Sequence, residues 1–157
     1  MNVLRFGELL GREIGPEDVE PLTWELASRA AAFGAADHAA ALSALVRFRR
    51  AVQQWWADGW DVLLTPTTAV VAAPLGDMAQ DAEHPLAPFA LSASWVPFTP
   101  AFNTSGQPAV SLPLHWTPDG LPVGVQLVGG YGREDILIAL AAQLEQAHPW
   151  ADRHPPV

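Results

Sequence analysis

The spacing of hydrophobic residues changes near residue 60. Before that point, apolar residues recur every three or four positions, which is typical of amphipathic helices. The spacing predicts three helices, from Val3 to the stop at Gly15-Pro16, from about Leu22 to Phe33, and from about Ala36 to Ala57. Gly34 is expected to end the second helix and Asp58-Gly59 the third, because glycine is the usual residue beyond a helix C-terminus.

After Gly59 the pattern is that of strands. Asp61 to Thr65 is a short continuous apolar run, as expected for a buried strand. Two more strands are predicted at 109–114 and 122–128, joined by a short connection and adjacent in one small sheet. A final amphipathic helix is predicted from Glu134 to Ala147.

The stretch between the first two strands is a long proline-rich loop, from Pro66 to Pro100, with room for one short helix at about 87–95. Trp95, Phe98 and Phe102 lie in or next to its end. Aromatic residues on such a loop either line an apolar pocket or hold the loop against the core, and both roles can coexist.

The composition indicates more apolar surface than one small domain can cover. Of the 157 residues, 50% are hydrophobic and 16% are charged, whereas about 25% charged is ordinary. Seven Trp and six Phe add to the excess. We therefore expect a single segment, residues 1–157, that is helical to residue 60 and strand-loop-strand-helix from residue 61. Its apolar faces are expected to contact another body or to support homo-oligomers.

The net charge of −9 argues against non-specific nucleic-acid binding, which needs clustered cations. No run of about 18 apolar residues is present, so no membrane span is expected. The first residues lack the features of a signal peptide, and there is no cysteine. These observations favour the cytoplasm.

Ser105 raises the question of nucleophilic chemistry. A nucleophile elbow needs Gly-x-Ser-x-Gly on a strand-to-helix turn, and residues 103–107 lack the first glycine. We interpret Thr104-Ser105-Gly106 as a tight turn in which Gly106 takes a positive φ. A triad of Ser105, His115 and Asp119 can be drawn on paper, but the spacing does not require it.

No cofactor or metal site is predicted. The five histidines are scattered, and no pair is spaced to place two ligands on one helix face. Glu83-His84 is a weak pair in the long loop. Residues 129–132 are glycine-rich but lack the lysine and the spacing of a phosphate-binding loop.

Three motifs together resemble the C-terminal third of the amidase signature family. They are DVLLTPT at 61–67, FNTSGQPAVSLP at 102–113 and GLPVGVQLVG at 120–129, the last followed by GRED at 132–135 and a Leu/Ala-rich helix. The closing PWADR at 149–153 is also similar to the end of bacterial members. Their order and spacing make the resemblance highly specific, and it covers essentially the whole chain.

The resemblance implies an α/β fold, with a mixed sheet flanked by helices, and hydrolysis of a carboxamide through a serine acyl-enzyme. Family members use two serines and a lysine as catalytic residues, and a Gly/Ser-rich segment supplies their oxyanion hole. None of these residues maps onto this chain. All eight basic residues are arginines. The chain is therefore expected to be inactive alone, with no catalytic residue of its own.

The resemblance also implies where this part of the family meets its substrate. The segment before the Asn-x-x-Gly-x-Pro motif helps to line the acyl pocket, and Trp95, Phe98, Thr99 and Phe102 occupy it here. A small-molecule amide would then bind only together with the catalytic part. The alternative is a stand-alone, non-catalytic module, derived from an amidase, that binds a partner chain or a small apolar amide.

Overall fold

A computed structural model describes residues 3–155 of the chain. Its elements in chain order are the helices α1 (Val3–Leu10), α2 (Pro21–Ala30) and α3 (Ala35–Ala57), strand β1 (Val62–Pro66), helices α4 (Ala87–Trp95) and α5 (Pro100–Ser105), strands β2 (Ala109–Trp116) and β3 (Pro122–Gly129), and helix α6 (Glu134–Ala147). Every predicted helix and strand is confirmed, and α5 is an addition that the sequence pattern did not reveal.

The described residues form two compact units. The first contains the residues up to Ala41 together with Pro74–Ala93, and the second contains Leu42–Ala73 and the residues from Ser94 onward. Both α3 and α4 contribute to each unit. None of the helices within residues 3–155 has the length and hydropathy that a membrane span requires.

The ends of α1 and α2 differ from the predicted ones. Helix α1 stops at Leu10, because Gly11 takes a φ of 67° and closes a Schellman motif, in which the Arg12 N–H donates to the Gly7 carbonyl at 3.2 Å. Gly34 was expected to end α2, which stops at Ala30 instead. The Gly34 N–H donates to the Asp37 carboxylate at 2.9 Å, so this glycine begins α3.

An ion pair organises the turn that follows α1. Both carboxylate oxygens of Asp18 accept from the Arg12 guanidinium, at 2.6 and 2.8 Å, and one also accepts the Gly15 N–H at 2.9 Å. The hydrogen bonds from Arg12, and next the one from Gly15, lower the pKa of Asp18 to about 2. The Asp18 carboxylate is therefore charged throughout the physiological pH range.

The second unit is built on one small antiparallel sheet. Its strand order is β1-β3-β2, so β3 is central and the predicted neighbours β2 and β3 do pair. The pairing shifts between Leu112 and His115, where β2 holds one residue more than β3. Pro113 lies in this irregularity, where a residue without an N–H interrupts no regular ladder bond.

Helix α6 covers one face of the sheet. Leu112, Leu127 and Leu137 form the buried centre, and the partly buried residues Val62, Val110, Leu114, Leu140, Ala141, Leu144 and Trp150 pack around them. Gly129 lets α6 approach closely, because a Cβ there would lie 3.3 Å from Leu137. Glu134 and Asp135 lie in the first turn of α6, where carboxylates favour the helix dipole.

Helix α3 leaves much of its apolar face exposed. Its outward-facing hydrophobic residues are Leu42, Leu45, Val46 and Phe48, each between 39% and 49% exposed. Val52 and Trp56, further along, are half-buried, and Trp56 packs against Gly130. The excess of apolar surface indicated by the composition is thus present on the folded chain.

The other face of the sheet carries a hydroxyl pair above Gly124. The Thr67 and Ser111 hydroxyls are 2.6 Å apart, and a Cβ at Gly124 would lie 2.7 Å from each of them. We expect Gly124→Ala to separate this pair and to lower the free energy of unfolding by about 1–3 kcal/mol, as overpacking does. The midpoint of urea denaturation measures the change.

The matched control is the double variant Gly124→Ala/Ser111→Ala, which removes one of the two oxygens. It should recover part of the lost stability. A Gly124→Ala midpoint equal to that of the unmodified chain would contradict the close packing at this position.

Candidate functional site

The residues predicted to contact substrate lie within one short stretch, residues 95–102, which we call the wall segment. Trp95 is the last residue of α4, Phe98 lies in the connection, Thr99 precedes the first turn of α5, and Phe102 is inside α5. All four are half-buried. The structure therefore places them on the surface of the second unit with part of each side chain accessible.

Backbone and side-chain hydrogen bonds tie the wall segment to the sheet. The Ala69 N–H, just beyond β1, donates to the Trp95 carbonyl at 2.8 Å. The Gln126 side-chain amide, 5% exposed on the central strand, donates to the Phe98 carbonyl at 3.3 Å and to Thr65 Oγ1 at 3.0 Å. The segment is held by its main chain, so its side chains are not needed for these attachments.

Helix α5 ends at the position where a turn was predicted. Gly106 has a φ of 83°, as expected, and its N–H donates to the Phe102 carbonyl at 2.8 Å. The predicted turn at 104–106 is thus the C-terminal end of a short helix capped by a left-handed glycine. At the start of α5, the Thr99 carbonyl accepts the N–H groups of Phe102 and Asn103, both at 3.1 Å.

Ser105 is a buried structural residue. It is 2% exposed, and its hydroxyl donates to Gln107 Oε1. Gln107, 6% exposed, donates in turn from Nε2 to Gln53 Oε1 at 3.1 Å. A hydroxyl without a neighbouring base, shielded from solvent, is not arranged as a nucleophile.

Sequence reasoning missed the contribution of Arg49 to this region. Arg49 is exposed as a whole residue, yet its Nε donates to the Ser105 carbonyl at 3.1 Å. This carbonyl is one of those that a helix C-terminus leaves without an internal partner. The only sequence signal was the position of three arginines on the later half of one helix, which does not identify the contact.

The other candidate groups are not assembled into a site. His115 is exposed on β2, whereas Ser105 is buried, and no hydrogen bond among the described residues joins them. His84 contacts Asp81 rather than Glu83, with Nδ1 and Oδ2 3.1 Å apart. Within residues 3–155 there is no group of three or more His, Cys, Asp and Glu side chains placed to hold a metal ion.

Comparison with known proteins identifies the family. A family model described as Amidase matches residues 9–138. The chain is 42% identical over 156 residues to a 6-aminohexanoate-cyclic-dimer hydrolase of Paenarthrobacter ureafaciens, a match that covers 96% of this chain and 32% of that protein. It is 47% identical over 97 residues to the putative amidase AmiC of Mycobacterium tuberculosis (strain ATCC 25618 / H37Rv), covering 62% of this chain and 20% of that protein.

Solved structures give the same result. The structure of a 6-aminohexanoate cyclic dimer hydrolase matches with a TM-score of 0.90 at 40% identity, over 98% of this chain and 33% of that one. A bacterial aryl acylamidase of the amidase signature family matches with a TM-score of 0.69 at 22% identity, which shows the fold alone.

The α/β fold class and the resemblance to the amidase signature family are both confirmed. The chain spans about a third of the length of the relatives that it matches from end to end. Because the family model covers most of its residues, this chain belongs to the amidase family.

Proposed function

We propose that this chain is the C-terminal part of an enzyme that hydrolyses carboxamide bonds through a serine acyl-enzyme, and that it does not hydrolyse amides by itself. The observation that carries this proposal is the match to a third of an amidase in a chain whose basic residues are all arginine. The family's lysine must be neutral to relay a proton, and an arginine side chain stays protonated at any physiological pH.

We further propose that the wall segment lines the acyl pocket of the assembled enzyme. Its aromatic residues are half-buried, and its main chain is fixed to the sheet through Ala69 and Gln126. A rigid backbone that presents apolar side chains suits the aliphatic or aromatic part of an amide substrate. Two relatives are named for a cyclic amide dimer, so uncharged cyclic amides are the first substrates to test.

The assembled enzyme is proposed to need no cofactor and to work in the cytoplasm. Acyl transfer through a serine uses side-chain and backbone groups only. The chain has no cysteine that an oxidising compartment would cross-link.

The purified chain should show no turnover of an aryl amide such as p-nitroacetanilide or an aliphatic amide such as hexanamide. Release of nitroaniline and of ammonia measures it, and Ser105→Ala serves as the matched variant. With both proteins, the release of nitroaniline and ammonia should equal that of the buffer blank, because Ser105 is buried and hydrogen-bonded to Gln107. Turnover that Ser105→Ala abolishes would overturn the proposal.

A chimera tests the wall segment directly. In the Paenarthrobacter hydrolase, the matching third is replaced by this chain, and hydrolysis of the 6-aminohexanoate cyclic dimer is measured. We expect an active chimera in which Phe102→Ala lowers kcat/KM about tenfold or more, because an apolar pocket contact is lost.

Phe89→Ala in α4 is the control for this chimera, since Phe89 is also an aromatic residue but is 56% exposed and lies outside the wall segment. It should leave kcat/KM within about twofold of the parent chimera, a change well under 1 kcal/mol. Equal losses in the two variants would contradict a pocket role for the wall segment.

We also propose that the separate chain self-associates through its exposed apolar face on α3. Light scattering should give a mass above that of the monomer, and Val46→Glu with Phe48→Glu should lower it, because both side chains are among the exposed hydrophobic residues. Arg47→Gln, on the same helix, should leave the mass unchanged. A monodisperse monomer of the unmodified chain would refute the association.

A further inference from the structure

A groove of about 450 Å³ opens beside the C-terminal end of α5. Its polar lining comes from Arg49, Arg50, Gln53 and Gln54 of α3, with Ser105 and Tyr131 opposite. The volume is within the range of small-molecule sites, about 300–1,000 Å³. All of these residues belong to the second unit.

The two arginines of the groove have no carboxylate partner among residues 3–155. The ion pairs there join Arg12 with Asp18, Arg29 with Glu25, His84 with Asp81 and Arg133 with Asp135. These two guanidinium groups are neighbours in a chain whose net charge is −9. Apart from Arg49 Nε, which donates to the Ser105 carbonyl, their N–H donors are available to an anion from outside the described residues.

Contacts with α5 fix one of the two guanidinium groups. Arg49 Nε donates to the Ser105 carbonyl, and Nη2 lies 3.5 Å from the position that a Cβ of Gly106 would occupy. Gly106, beside this guanidinium, supplies the left-handed helix end with a φ of 83°. A guanidinium that is already held loses little freedom when it binds a ligand.

The neighbouring polar groups are also arranged as donors. Gln53 accepts from Gln107 through its side-chain oxygen, which leaves its N–H groups without a protein partner among the described residues. Gln54, which lines the groove, donates to Asp58 at 2.9 Å. One carboxylate is thus set against the two arginines of the groove. The groove keeps an excess of positive charge and of N–H donors.

We propose that this groove binds the carboxylate of an organic acid, either an amide substrate with a distant carboxylate or an acid released by hydrolysis. The forked N–H groups of arginine match the two oxygens of a carboxylate. Ser105, at the groove, follows Phe102 of the wall segment by three residues in α5, so the groove and the wall segment meet on this short helix. This assignment of a ligand class rests on the proposed amide hydrolysis.

Binding of hippurate, an amide with a carboxylate, to the purified chain tests the proposal. The Arg Nε–H signals are followed by NMR at low ionic strength during titration, and hippuramide is the uncharged analogue. Hippurate should bind saturably and hippuramide should not. Arg50→Gln should raise the Kd about tenfold, as expected for loss of a charge-assisted hydrogen bond.

Arg47→Gln is the matched control, because Arg47 lies on the same helix but does not line the groove. It should leave the Kd unchanged. Arg49→Lys, which keeps the charge but loses the fork, should weaken binding as well. The amide NMR spectrum of each variant shows whether the fold is retained.

Four results would overturn the assignment: no saturable binding of hippurate, equal binding of hippuramide, the same loss in Arg47→Gln as in Arg50→Gln, or binding of inorganic phosphate but not of hippurate. The experiment does not depend on turnover. An inactive chimera with retained hippurate binding would reject the proposed hydrolysis alone, and an active chimera without this binding would reject the groove alone.

Discussion

The side-chain amide of Gln126 joins the parts on which the candidate site depends. It lies on the central strand, is nearly inaccessible to solvent, and donates to Thr65 on the neighbouring strand and to the Phe98 carbonyl of the wall segment. A buried polar group left without partners costs about 1–3 kcal/mol. The position of the wall segment is thus coupled to the pairing of β3 with β1.

The second constraint is the small size of the core. The leucine centre lies between α6 and one face of a three-stranded sheet, and α3 keeps a row of half-exposed apolar residues. The same chain matches nearly end to end a third of a much larger relative. An exposed apolar face of this kind accords with a composition that is poor in charge.

Much of the architecture could be predicted from local pattern. Helical spacing located α1, α2, α3 and α6, the apolar run located β1, and the short connection between β2 and β3 predicted that they are neighbours. Helix α5 escaped prediction, because six residues beginning with proline carry too little periodicity to be distinguished from a loop. Helix α1 ends at Leu10, before the predicted stop at Gly15-Pro16. Gly34 was assigned to the wrong helix end, because a glycine is compatible with either end of a helix and only its hydrogen bonds decide between them.

By itself the sequence determined the family, the order of the elements, and the absence of a lysine for the family's proton transfer, because these follow from residue identity and short-range spacing. Only the tertiary structure decided that Ser105 is buried, that Arg49 binds its carbonyl, and that Gln126 holds the wall segment. These contacts join residues 28 to 56 positions apart in the chain. Local propensity carries no information about such pairs, since their contact depends on how the whole unit packs.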